Sequence, residues 1–388
     1  MKKYNQIVSA SNDKEDCVLV LQGGGALGAY QAGVYEALAA AEQLPRWVAG
    51  ISIGAINGAL IAGNPPKRRL QQLRAFWEEI TSSLAITPTA FQPIAGLRST
   101  MNEASAAMGA MFGLPGFFVP RFPAAQFQLP GTAQALSIYD TAPLRATLEE
   151  LIDFDLLNSG ATRLSVGAVN VRTGNFAYFD TENERLDVRH IMASGALPPG
   201  FPPVEIDGEW YWDGGLVSNT PLQYVLDQPA ANCTLIFQVD LFVAEGPMPT
   251  DLMRIAEREK DIRFSSRTRL NTADALARRA LAQTARNLIA KLPPELADDP
   301  DLQALAAAGA HAAVTVVHLI HRRKHSETQS KDYDFSRISM QEHWQAGQAD
   351  LGHTLNHSDW KARSRPETGV HVFDLTRTHK HVSSRMPS

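Results

Sequence analysis

CVLVLQGGGALG, residues 17–28, decides the fold. Five apolar residues run without polar alternation, three glycines follow, and a helical pattern then covers 26–41. A strand that is apolar at every position is buried on both faces, the habit of a parallel sheet covered by helices. The same order of events recurs at once. Trp47-Val48-Ala49-Gly50-Ile51 is a second short strand, Gly50-Ile51-Ser52-Ile53-Gly54 makes a sharp turn, and a helix is expected over 53–62. Strand, turn and helix repeated at this pace predict parallel βα units in an α/β layer fold.

Further along, the spacing predicts a helix over 70–81, after Pro65, Pro66 and the basic Lys67-Arg68-Arg69. Residues 85–131 are rich in Pro, Gly, Met, Phe and Ala and are long for an ordinary loop. A helix is expected over 139–152, with Asp140 or Thr141 as N-cap and Pro143 in its first turn. Strands are expected at 163–170, 176–180, 234–243 and 314–320. A short helix at 190–196 should stop at Pro198-Pro199-Gly200. Residues 251–292 carry apolar residues at helical spacing, with ten Lys/Arg against five Asp/Glu. A helix is expected over 336–351, and the polar tail beyond residue 353 is expected to be loosely ordered.

Composition narrows the function. The 388 residues are 44% hydrophobic and 20% charged, with net charge −5. That excludes wholesale disorder and argues against a nucleic-acid partner, which normally demands a basic excess. Two cysteines, Cys17 and Cys233, make neither a disulfide framework nor a four-Cys zinc site, so no metal is expected. Lys2 and Lys3 have no apolar run behind them, so no signal peptide is expected. Four uncharged runs, at 17–35, 47–66, 104–120 and 302–321, are each broken by Gly, Pro or His, so a cytoplasmic location is expected.

Three motifs carry chemistry. Gly50-Ile51-Ser52-Ile53-Gly54 is a G-x-S-x-G between strand and helix, where a tight turn thrusts a serine hydroxyl out above the sheet. The bland alternative is an ordinary turn with Ser52 as a helix cap. Gly23, Gly24, Gly25 and Gly28 satisfy the dinucleotide fingerprint, and equally offer backbone N–H groups for an oxyanion. The fingerprint wants an acid at the end of the next strand. That position holds Ser52, and the nearest acids, Glu36 and Glu42, fall before the strand, so the dinucleotide reading loses. Asp213-Gly214-Gly215 is a turn that can supply the proton acceptor a serine nucleophile requires.

In this order the three motifs resemble the patatin-like phospholipase family over residues 17–243, and the run Ala193-Ser194-Gly195-Ala196-Leu197-Pro198-Pro199-Gly200 looks like the stretch before that family's catalytic Asp. The resemblance implies a three-layer α/β/α sandwich around a mostly parallel sheet. It implies Ser52 as nucleophile, Asp213 as base, no catalytic His, and the Gly23–Gly28 loop as oxyanion donor. No cofactor is implied. It divides the chain into a tail (1–15), a patatin-like catalytic domain (16–246, with an apolar insert at about 85–131) and a mainly helical extension (247–388). Lys331-Asp332-Tyr333-Asp334-Phe335-Ser336-Arg337 and the helix bearing Glu342, His343 and Trp344 are similar to an extension found on some bacterial members. One departure stands out: Leu27 occupies a position where many members carry a cation, which shifts the expectation from phospholipase toward acyl-ester hydrolase.

The reading is therefore a lipid or acyl-ester hydrolase working through an acyl-serine. Acyl transfer from the same intermediate is an alternative, as is a non-catalytic scaffold that binds nucleotide or anions. An unperturbed Asp is a poor base at neutral pH, so desolvation beside Ile51, Ile53 and Trp212 is expected to raise Asp213. His190 is the rival base. The insert at 104–128, with Met108, Met111, Phe112, Phe117, Phe118, Phe122 and Phe127, is either a lipid-facing lid or a cap packed on the core. The basic face of 251–292 either leans on anionic lipid, giving a peripheral membrane contact, or is simply solvated. His379 and His381 read as exposed tail, not metal ligands.

Overall fold

A computed structural model describes residues 15–82, 95–228, 234–296, 298–308, 313–322, 331–366 and 369–376. Cys233, His379, His381 and part of the insert, 85–94, lie outside the described residues. The chain opens with β1 (Asp16–Leu21), α1 (Ala29–Ala40), β2 (Trp47–Ile51), α2 (Ile53–Ala62) and α3 (Pro66–Ile80). Next come α4 (Ala95–Phe112), the two-residue strands β3 (Val119–Pro120) and β4 (Tyr139–Asp140), α5 (Ala142–Leu151) and α6 (Phe154–Leu157). Then follow β5 (Arg163–Asn170), β6 (Phe176–Asp180), α7 (Val188–Ser194), β7 (Val204–Ile206), β8 (Glu209–Asp213), α8 (Leu222–Asp227) and β9 (Thr234–Asp240). The last third holds α9 (Leu252–Ile289), α10 (Pro300–Ala308), β10 (Val314–Ile320), α11 (Arg337–Asn356), α12 (Ser358–Lys361) and β11 (Val370–Phe373).

Nine strands form one sheet in the order β11-β10-β9-β1-β2-β5-β8-β7, with β6 also paired to β5. The six from β11 to β5 are mutually parallel, while β6 and β8 each pair antiparallel with β5, and β7 pairs antiparallel with β8. Alternation within β1 shows why its sequence is apolar throughout. Cys17, Leu19 and Leu21 face the larger core under α1, α2 and α3, while Val18 and Val20 face a smaller one with Leu222, Val225 and Leu226 of α8. The expected sandwich around a mostly parallel sheet is therefore the observed one. One buried polar group ties the helices behind the site together. Asn57 of α2 donates to the Gly28 carbonyl (3.0 Å) and to Gln31 Oε1 (2.9 Å), and accepts from Trp77 Nε1 (3.0 Å).

Several boundaries move. The helix expected at 70–81 begins at Pro66, because proline is at home in a first helical turn. Tyr139–Asp140 is a strand, with Thr141 as the N-cap of α5. Residues 95–112 are helical; their run of Ala, Ser and Met suits a helix despite Gly96 and Gly109. The described part of the tail beyond 353 departs from the expectation: α11 runs to Asn356, and Val370–Phe373 pairs in parallel with β10. The insert divides between its two readings. Phe117 and Phe118 are buried against Phe201, whereas Phe122 and Phe127 face outward.

The described residues from 247 onward are mainly helical, yet they add two strands to the sheet and pack α11 along α1. The two helices approach to backbone contact. A side chain on Gly33 would strike the Trp344 carbonyl, and one on Gly347 would strike that of Tyr30. Gly352, on the same helix, faces open space. Gly347→Leu is expected to destabilise the fold by about 1–3 kcal/mol through overpacking. Gly352→Ala should stabilise it by roughly 0.5–1 kcal/mol through helix propensity. Thermal melting of the two variants, moving in opposite directions, checks the packing.

Candidate active site

The glycine-rich loop leaves the carboxyl end of β1 and is gripped from several sides. Gln22 is fully buried; its Oε1 accepts from the amides of Leu241 (2.6 Å) and Phe242 (3.1 Å), and its Nε2 donates to Thr220 Oγ1 (3.0 Å). Asn219 holds Gly23 twice. Its carbonyl accepts from the Gly23 N–H (3.1 Å), and its Nδ2 donates to the Gly23 carbonyl (2.8 Å). The loop then tightens into a 3-10 turn over Gly25–Gly28, with Gly25 at φ +54°, a left-handed conformation that favours glycine. The Ala26 N–H donates to the Asp332 carbonyl (2.9 Å). Among the described residues, the amides of Gly24 and Gly25 make no hydrogen bond. Leu27 is fully buried, so the departure from the family pattern lies inside the core.

Ser52 stands between β2 and α2 at φ 55°, ψ −123°. A non-glycine residue at positive φ is strained, and such strain persists only where neighbours over-determine it. Here the Ser52 carbonyl accepts from the Ala55 (2.9 Å) and Ile56 (3.2 Å) amides. The Ser52 N–H donates to Ser194 Oγ (3.0 Å), which itself donates to the Gly167 carbonyl (2.7 Å). Gly50 and Gly54 flank the elbow because a side chain on Gly50 would strike the Gly54 carbonyl, and one on Gly54 that of Leu21. A Cβ placed on Gly23 would lie 3.1 Å from Ser52 Cβ, so the glycine loop lies directly against the serine.

Asp213 arrives from the other side of β5. Ile51 pairs with Gly167 and Asp213 with the next residue, Ala168, so the register brings both motifs to one level of the sheet. The Asp213 N–H donates to the Ala196 carbonyl (3.0 Å), and Gly215 N–H donates to Asp213 Oδ1 (2.7 Å). Gly214 packs on the Gly167 carbonyl and on Ile51 Cγ2, where a side chain has no room. Asp213 is buried, and burial pushes its carboxyl up to about 6 against the pull of hydrogen bonds from the Ser52 side chain and the Gly215 amide. The expected upward shift is present, with desolvation as its largest cause.

His190 sits elsewhere in the local network. Its Nδ1 accepts from the Asp187 N–H (3.0 Å) as part of the capping box of α7, and its ring packs edge-on against Phe179. Three residues that matter to the geometry had no role in the sequence reading: Asn219, Ser194 and Asp332. Ser194 stands in a stretch already singled out and Asn219 shortly after the Asp213 turn, and a buried polar side chain is a signal in itself. Asp332 acts through its main chain, which no side-chain pattern marks. A hydroxyl, a bonded carboxylate of raised proton affinity and two unpaired amides together suit proton transfer and the holding of developing negative charge. No helix among the described residues is long and apolar enough to cross a membrane.

Comparisons with known proteins identify the family. A family model described as patatin-like phospholipase matches residues 19–226, and a second, described as patatin phospholipase, matches residues 262–367. No curated protein matches the chain. Among solved structures, VipD from Legionella pneumophila is similar over 88% of this chain and 67% of its own, at 13% identity and a TM-score of 0.37. The type III effector ExoU is similar over 88% of this chain and 52% of its own, at 13% identity and 0.33. A complex of SpcU with ExoU from Pseudomonas aeruginosa matches over 89% and 72%, at 16% identity and 0.27. Because the first family model spans more than half of its residues, the chain belongs to the patatin-like phospholipase family and is a hydrolase of that type.

Proposed function

We propose that the chain is a serine acyl-ester hydrolase acting on lipid or lipid-like esters through a Ser52–Asp213 dyad. The observation that carries this reading is a buried carboxylate, raised to about 6, at the level of the sheet where the strained Ser52 turn stands. A carboxylate near its ordinary value would hold a proton too weakly to serve as base near neutrality. Asp213 takes the hydroxyl proton as Ser52 Oγ attacks the ester carbonyl, and the Gly24 and Gly25 amides hold the oxyanion. Collapse breaks the ester C–O bond, the alcohol leaves with the proton from Asp213, and acyl-Ser52 remains. Water then gives a proton to Asp213 and attacks the acyl carbon, and the proton returns to Ser52 as the acid departs. Gly23 and Gly28 shape the loop, Gly50 and Gly54 the elbow, and Gly214 and Gly215 the turn that presents the base.

The reading has a direct chemical test. Ser52→Ala and Asp213→Asn should each abolish ester hydrolysis while the fold stays intact by circular dichroism. A fluorophosphonate should label the parent at Ser52 and nowhere else. Folded Asp213→Asn that keeps full turnover would overturn the dyad.

The pH dependence follows from the sign of the shift. Protonated Asp213 accepts no proton, so kcat/KM should fall about tenfold per pH unit below about pH 6 and level off above it. In the folded state the raised carboxyl favours its neutral form, so its contribution to stability is present at low pH and lost as pH rises through about 6. Asp213→Asn should therefore be more stable than the parent by up to about 3 kcal/mol at pH 8 and equal to it at pH 3. Urea unfolding at the two pH values measures the difference.

A lipid surface as the place of work is supported by the cap. Phe122 is 98% exposed and Phe127 78%, with Met111, Phe112 and Leu129 exposed nearby in sequence, while Phe117 and Phe118 anchor the segment. Contiguous exposed apolar side chains mark sites of contact with apolar partners. The double variant Phe122→Ser with Phe127→Ser should lose vesicle hydrolysis while cleaving a soluble short-chain ester at the parent rate. Equal loss on both substrates would count against an interfacial role.

A further inference from the structure

Residues 331–337, from the far end of the chain, lie against the glycine-rich loop. The Asp332 carbonyl accepts the Ala26 N–H (2.9 Å), and a side chain on Gly25 would strike that same oxygen. The contact is main chain to main chain, and it falls on the peptide next to the unpaired Gly24 and Gly25 amides. Asp332 is in turn held from α9. Lys260 Nζ donates to its carboxylate oxygens at 2.8 and 3.1 Å, and Lys331 Nζ donates to Asp261 Oδ1 at 2.7 Å. Two consecutive residues of α9 thus exchange ion pairs with two consecutive residues of the segment, lysine to aspartate in each direction. The Lys331–Asp261 pair is buried at both ends, and Lys260 also lies over the Tyr333 ring at 4.9 Å. The segment is fixed downstream as well: Arg337 donates to Thr81 Oγ1 (2.8 Å) and to the Glu78 carbonyl (2.5 Å).

Buried ion pairs are a weak source of stability, and their best-attested use is to fix a register. Here the register they fix is that of the Asp332 carbonyl on the loop. We infer that Asp332 is a positioning residue for hydrolysis: its carbonyl sets the Gly25–Ala26 peptide, and the paired lysines and aspartates of α9 and residues 331–332 hold that carbonyl in place. The inference rests on the reading of Gly24 and Gly25 as oxyanion donors. It makes the C-terminal region part of the catalytic centre.

The test uses the full chain and a soluble short-acyl ester, with kcat expressed per fluorophosphonate-titrated site. Lys260→Met keeps the apolar stem and removes the charge. It should lower kcat about tenfold or more with KM within about twofold, the signature of an interaction made only in the transition state. Lys260→Arg should retain most of the parent kcat. Asp332→Asn, which keeps the shape of the side chain, should lose kcat in the same way and decides the matter if Lys260→Met does not fold. A folded Lys260→Met or Asp332→Asn with the parent kcat overturns the inference, as does a loss carried wholly by KM. Ser52→Ala and Asp213→Asn are assayed alongside. If they are inactive while Lys260→Met is fully active, the positioning role alone has failed. If they are active, the dyad itself has failed.

Discussion

An aspartate carboxyl sealed from water beside a hydroxyl is the constraint around which this molecule is arranged. Burial raises the free energy of the Asp213 anion, and the Ser52 and Gly215 hydrogen bonds offset only part of that cost. Such a group stays in place only if its neighbours leave it no alternative. The pairing of Asp213 with Ala168, its amide bond to Ala196 and the side-chain-free Gly214 behind it supply that confinement. The strained turn at Ser52 has the same logic, since the bond to Ser194, itself bonded to the Gly167 carbonyl, fixes it.

Much of this was legible from residues alone, for a physical reason. A doubly buried parallel strand tolerates few polar residues, so β1 and β2 announce themselves by composition. Glycines forced by backbone contact are equally conspicuous, and they mark the loop, the elbow and the Asp213 turn. The dinucleotide alternative fell on a single position, the end of β2, where a hydroxyl stands in place of an acid. What escaped notice depends on distant parts of the chain meeting. Asn219 is one polar residue in a turn until Gly23, 196 positions away, is seen to use both its hydrogen-bonding ends. Val370–Phe373 is a four-residue run in a polar tail until β10 offers it a ladder. Propensity and periodicity carry no trace of such encounters.

The place of the C-terminal third follows from the sheet. Every residue of β9 is buried, and it pairs with β1 on one side and β10 on the other. Without β10, a fully buried seven-residue strand would become an open edge, which natural proteins avoid. With it, the edge passes outward to β11, which is short, partly exposed and interrupted by His371. The backbone contact of α11 with α1 then closes one face of the same layer.

Oxyanion stabilisation depends on dipoles that are already aimed before charge develops, because dipoles that must turn during the reaction return little. A run of glycines is poorly suited to this when free, having more backbone freedom than any other sequence. The loop here loses that freedom to partners from four separate elements: the Leu241 and Phe242 amides after β9 on Gln22, Asn219 before α8 on Gly23, Asn57 of α2 on Gly28, and Asp332 from the far end of the chain on Ala26. Gln22 and Gly23 are fixed on one side, and Ala26 and Gly28 on the other, which leaves the Gly24 and Gly25 amides, among the described residues, unbonded between two anchored ends. Glycine is what lets the chain enter this conformation, and the surrounding contacts are what keep it there.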